Sequence, residues 1–192
     1  RKINMKKEKT KSFQQDKLFN NAGDEHYLNP EATEFVIRYI TRTNKKSNKD
    51  LLSWGGFGIS ESLGIKAVIN QFKEVQELHT RQGAFGRYMD HEWYSFSETS
   101  QAALLNYDVD LDALAREMAQ DFYERDNCQV VYGVHKPDDA EKHVHIHFGI
   151  NAVNFINGNK RRENMRQTKE REERFREMTK RVIERYSYGK QI

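Results

Sequence analysis

The chain has 192 residues, a formal net charge of +3 and a mean hydropathy of −0.96, with 36% apolar and 32% charged residues. That is enough for one domain with a core, or a domain plus a tail, but it is wet for a globular protein. No apolar run approaches the roughly 20 residues that span a bilayer, and the single cysteine, Cys128, excludes an intrachain disulfide and a cysteine-rich zinc site.

Residues 1–24 lack periodicity and read as an arm or an irregular first strand; the basic start, RKINMKKEKTK, has no apolar stretch of a leader behind it. Asn29-Pro30-Glu31 is a helix start, with asparagine as cap, proline at the first helical position and an acid in the first turn. The helix is expected to reach about Arg42, with Phe35, Val36, Tyr39 and Ile40 at helical spacing. Residues 43–49 read as a polar loop. WGGFG, from Trp54 to Gly58, reads as a glycine-rich turn, since it lacks the Gly-Lys-Ser/Thr ending of a phosphate loop. A helical pattern returns over 61–80, a short aromatic strand over 91–97 (HEWYSFS), and an amphipathic helix over 108–126 that opens on aspartates. Residues 129–135 (QVVYGVH) and 143–155 read as two paired strands with a turn-rich connection, and from Lys160 a charged helix carries a thin apolar stripe. Interleaved strands and helices with a long hairpin predict an α+β fold with a mainly antiparallel sheet flanked by helices. The expected division is a domain over 1–160 and a charged helical extension or linker over 161–192, with the chain as a piece of something longer.

Charge is unevenly placed. Residues 1–20 hold seven Lys/Arg and two acids, and residues 160–185 hold eleven and six, so each end is +5 and the remainder −7. Basic ends around an acidic body point to a polyanion held from the flanks. Exposed aromatics such as Trp54, Phe57, Phe85, Tyr88 and Trp93 are candidates to stack on unpaired bases.

HVHIHFGIN, residues 143–151, places three of the seven histidines on alternate residues. On a strand these share one face, with Val144, Ile146 and Phe148 on the other. Residues two apart are about 6.6–7 Å apart and can converge on one ion; residues four apart are about 13 Å apart and cannot easily do so. His145 therefore belongs to either pair, His143 with His145 or His145 with His147. His135, ending the neighbouring strand, is the expected third ligand. Three imidazoles leave positions on the metal open, as catalysis requires.

These residues resemble the third motif of conjugative relaxases, the HUH endonucleases that nick plasmid transfer origins, and most closely the MobA/VirD2-type mobilisation relaxases. FVIRYITR, residues 35–42, is similar to the first motif, whose tyrosine is the nucleophile, and HEWYSFS to the second. The match spans about residues 30–160 in order; the family's aspartate after the first histidine is replaced by Pro137. The resemblance favours His145 and His147 as the metal pair and implies Tyr39 as the nucleophile. Tyr27, just before the helix and expected to be exposed, is the competing nucleophile, and His143, if not a ligand, is on the histidine face to serve as the base. It implies a divalent cofactor, Mn or Mg first and Zn, Co or Ni as alternatives. Arg42, Arg81, Arg87, Lys160, Arg161 and Arg162 are the expected DNA contacts. The implied partners are single-stranded transfer-origin DNA, accessory relaxosome proteins and a type IV secretion coupling protein, in a bacterial cytoplasm without membrane insertion. The competing readings are a rolling-circle replication initiator, in which the tyrosine normally follows the histidines, and a non-catalytic metal-containing DNA-binding module.

Overall fold

The computed structural model describes residues 14–20, 25–44, 48–79, 86–136 and 143–189. Among the described residues five strands form one sheet: β1 (Lys17–Asn20), β2 (Leu51–Phe57), β3 (Met89–Ser95), β4 (Val130–His135) and β5 (His145–Asn151). Their order is β1-β3-β5-β4-β2, and every neighbouring pair is antiparallel. The described residues also form five α-helices: α1 (Ala32–Ile40), α2 (Ile65–Leu78), α3 (Glu98–Asn106), α4 (Leu111–Asp126) and α5 (Met165–Gly189). The α+β class read from the sequence is the observed one.

The strand alternation sorts side chains into two cores. Ile146, Phe148 and Ile150 of β5 join Val130, Tyr132 and Val134 of β4, Tyr94 of β3, and Leu114, Met118 and Phe122 of α4. Val131 and Met89 face the other way, against Val36, Ile37 and Ile40 of α1 and Val68, Ile69 and Phe72 of α2. Helices thus cover both sides of the sheet, and the histidines of β5 lie on the α1 side.

Local chemistry explains where elements begin. Asn29 Oδ1 accepts from the backbone of Glu31, and α1 starts at Ala32, slightly later than the proline alone suggests. Asp110 and Ser97 cap α4 and α3 with their side-chain oxygens. α3 has no legible apolar period, because Leu104 is its one buried residue.

WGGFG is not a turn. Trp54 to Phe57 belong to the edge strand β2, paired with β4 from Leu51↔His135 to Phe57↔Val130. Glycine is required here by approach rather than by turning: a Cβ on Gly55 would meet Tyr132 Oη at 2.7 Å and the Arg116 guanidinium at 2.8 Å. Two further glycines seat α1. A Cβ on Gly133 would lie 2.5 Å from the Ile40 carbonyl oxygen, and one on Gly149 would lie 2.9 Å from Ile40 Cδ1. Their bare backbone lets the last turn of α1 rest on β4 and β5.

The C-terminal helix α5 packs on the sheet face opposite α1. Phe175 and Val182 belong to the larger core, with Phe175 edge-on to Tyr94 and Phe122. Phe175→Ala is expected to cost about 3–5 kcal/mol of stability through lost burial and the cavity left behind, read as a lowered urea midpoint at unchanged slope. A midpoint within experimental error of wild type would show that α5 contributes nothing to that core.

Candidate metal centre and nucleophile

β4 ends and β5 begins side by side, with His135 paired to His145 and Gly133 to His147. His135, His145 and His147 each offer a ring nitrogen, and the three nitrogens lie within 4.8 Å of one another. Each ring is steered by a partner on its other nitrogen. His135 Nε2 is 2.7 Å from Ile40 O, His145 Nδ1 is 2.8 Å from His143 O, and His147 Nδ1 is 2.9 Å from His91 Nε2. His147 Nε2 is buried with no hydrogen-bond partner, a costly state for a lone polar atom that a bound cation would relieve. The donor set therefore fits a divalent ion. All-nitrogen ligation suits Zn, Co, Ni or Mn, and an open three-ligand site leaves room for substrate.

Of the two pairs open to the sequence, His145 with His147 is the one brought together. His143 stands outside the trio and contributes its carbonyl to orienting His145.

Tyr39, near the end of α1, lies across the rings. Its centroid is 5.3 Å from His147, 5.6 Å from His91 and 6.1 Å from His135, with steep interplanar angles. The Arg42 guanidinium is 4.8 Å over the Tyr39 ring. Arg42 adopts φ 56°, the left-handed region, and is anchored to Asp50 at 2.9 Å. Tyr27, expected to be exposed, is instead buried, with its hydroxyl 3.3 Å from His91 Nδ1. Its 3-10 turn before α1 tucks it under the helix rather than into solvent. Tyr186 packs against the opposite core and Tyr188 is exposed on α5.

His91 was the residue that sequence reasoning passed over as a site group, although HEWYSFS was singled out. Alternation along β3 puts His91 with Trp93 on the same face as the β5 histidines, which was the available signal. The motif asparagine, Asn151, is a buried structural hub. Its Nδ2 donates to Phe72 O and Gln129 Oε1, and its Oδ1 accepts from Gln76 Nε2 and from the Val153 amide.

The expected DNA contacts are not gathered at one surface. Arg42 is buried beside the triad. Arg87 bonds Asp90 and Arg161 O, and Lys160 donates to Arg87 O. Arg161 is buried and ion-paired with Asp90, Glu92, Asp126 and Glu163. Arg162 is exposed, while Arg81 and Phe85 lie outside the described residues. Arg171 and Arg174 are likewise paired with Asp121, the former also with Asp126 and Glu163. The basic C-terminal stretch thus meets acids that β3 and α4 present, which segment charge alone does not reveal.

Burial, followed by neighbouring histidines and Arg42, pushes His91 down to about 3 and His147 well below the ordinary range. His145 is pushed down to about 4, chiefly by burial and then Arg42. These rings are neutral at pH 7, the form that binds metal. In the unfolded chain they take protons near 6.5, so below that pH the unfolded state binds more protons and stability falls as pH falls. Burial pushes Glu92 up to about 7 against the pull of Arg161, which acts in the opposite sense between about 4.5 and 7. Three histidines outweigh one glutamate. Metal-free protein is expected to lose a net of about 2–3 kcal/mol per pH unit between 6 and 5, measured by urea titration at each pH. Equal stability at pH 7 and pH 5 would contradict this.

A sheet carrying three converging histidines, with a tyrosine laid over them from a neighbouring helix, defines a class of protein built around one candidate metal centre. A family model described as "Relaxase: MobA/VirD2-like, nuclease domain" matches residues 39–186. The chain belongs to that family and is the nuclease domain of a DNA relaxase, an enzyme that cleaves phosphodiester bonds. No curated protein matches the chain. Among solved structures it is similar to a conjugative relaxase, TrwC, in a metal-bound complex with oriT DNA. The TM-score there is 0.49 at 12% identity, over 91% of this chain and 70% of that one.

Proposed function

We propose that the domain is a metal-dependent, site- and strand-specific nickase of single-stranded transfer-origin DNA, using Tyr39 as nucleophile. The carrying observation is the position of Tyr39, its ring 5.3 Å from that of His147. His135, His145 and His147 would hold a divalent ion, which when bound supplies polarisation and orientation of the scissile phosphate. Mn fits three imidazoles better than Mg, which prefers oxygen ligands.

The Tyr39 phenol oxygen attacks phosphorus and the bond to the 3′-oxygen breaks. The products are a 5′-phosphotyrosine and a 3′-hydroxyl. A free phenol has a pKa near 10, so the attack needs a proton acceptor. His143 is the proposed proton acceptor, adjoining the triad without being turned into it. The adduct keeps the bond energy of the phosphodiester, so the strand can be resealed without ATP. Phosphate contacts from exposed basic residues such as Arg162 would add salt-dependent affinity. The cellular reading is plasmid or transposon transfer in a bacterial cytoplasm, with relaxosome proteins and a secretion coupling protein as partners. Among the described residues no helix is long and apolar enough to cross a membrane.

The test is incubation with a single-stranded transfer-origin oligonucleotide and Mn²⁺, followed by a denaturing gel and mapping of the DNA-bound peptide. A nicked strand with DNA on Tyr39 is expected. Binding without cleavage would support the non-catalytic module, and DNA on Tyr186 or Tyr188 would favour the replication-initiator order.

A further inference from the structure

His91 stands opposite Gly149 in the β3–β5 register. With no side chain across from it, its ring leans diagonally to His147, the two rings lying 5.1 Å apart at 28°. His91 Nε2 is 2.9 Å from His147 Nδ1, and on its far side His91 Nδ1 is 3.3 Å from Tyr27 Oη. All three side chains are buried. We propose that Tyr27 and His91 are positioning residues for the metal centre, a buried hydrogen-bonded chain that holds His147 in the one tautomer and ring orientation able to bind the ion through Nε2. This rests on the reading of the triad as a metal site.

The proton bookkeeping has a single solution. A ligating His147 presents the Nε2 lone pair, so its proton is on Nδ1, where His91 Nε2 accepts it. The His91 proton is then on Nδ1 and is donated to Tyr27 Oη. A ligating histidine more often donates to a carboxylate, a backbone carbonyl or water. Here His147 donates to a neutral imidazole, and His135 and His145 face the carbonyls of Ile40 and His143. None of these outer partners is an anion. Asp90 and Glu92, the carboxylates on either side of His91 in sequence, are on the opposite sheet face, paired with Arg161 at 2.9 and 2.8 Å.

The experiment is Mn²⁺ binding by calorimetry on the whole 192-residue chain, with folding checked by circular dichroism. His91→Leu is expected to weaken binding about 10- to 100-fold, and Tyr27→Phe by about the lower figure or less. His91→Gln, whose amide oxygen can accept the same hydrogen, is expected to recover most of the loss. Wild-type affinity in folded His91→Leu overturns the proposal. Should His91→Leu not fold, nitrogen-15 NMR of metal-free wild type decides without a variant: His147 protonated on Nδ1 supports the chain, and protonation on Nε2 overturns it. His145→Ala separates the two claims. Undiminished Mn²⁺ binding there refutes the metal site itself, whereas lost binding there with normal binding in His91→Leu refutes only the positioning role.

Discussion

Tyr39→Phe is expected to abolish the covalent DNA adduct and to lower cleavage by at least about 10³-fold, as loss of the proposed nucleophile would. The substitution removes one oxygen and keeps the ring. The packing on His91, His135 and His147, and the Arg42 cation over the ring face, are ring interactions that phenylalanine retains. Folding, Mn²⁺ binding and oligonucleotide affinity should therefore remain near wild type, which ties the lost activity to the hydroxyl. Tyr27→Phe at saturating metal still forms the adduct, because that buried hydroxyl faces His91 rather than the open side of the centre. The assay is a denaturing gel of the protein–DNA species. An adduct on Tyr39→Phe would move the nucleophile elsewhere in the chain.

His147→Ala is expected to eliminate measurable Mn²⁺ binding and to reduce cleavage to background. It deletes the nitrogen that is buried without a hydrogen-bond partner and leaves His91 Nε2 facing a void. Two imidazoles set on different strands are a weak divalent site, so added metal should not restore activity at accessible concentrations. His143→Ala, by contrast, keeps the backbone carbonyl that orients His145, and should bind Mn²⁺ as wild type does. Metal binding by His147→Ala equal to wild type would shift the ligand pair by two residues.

Much of the arrangement was legible because strands advertise themselves through alternation. HVHIHFGIN separates a ligand face from a core face without reference to any other segment, and strand spacing alone makes His145 common to every pair. Elements defined by their neighbours were harder. WGGF reads as a turn until the Tyr132 hydroxyl and Arg116 guanidinium are seen where a Cβ would stand. α3 has one buried residue and hence no apolar period to detect. Arg161 reads as a surface cation until Asp90, Glu92 and Asp126 arrive from β3 and α4. His91 carried a usable signal, its parity on β3, but its partners come from residues 64 positions before and 56 positions after it in the chain. Local sequence records what a residue is. It does not record which distant group will complete it.

The carbonyl of Ile40, accepting from His135 across 95 positions of sequence, adjoins Tyr39 directly. One peptide unit therefore separates the proposed nucleophile from a contact with a candidate ligand. Chain segments that are remote in sequence behave at this point as a single machined part, with Gly133 and Gly149 as its seat. Any change that lifts the helix end, even by the thickness of a methyl group, misaligns both halves at once. Activity lost in a His135 variant consequently carries two meanings, ion release and nucleophile displacement. His145, tethered instead to the carbonyl of His143 just ahead of its strand, is the cleaner place to interrogate the metal alone.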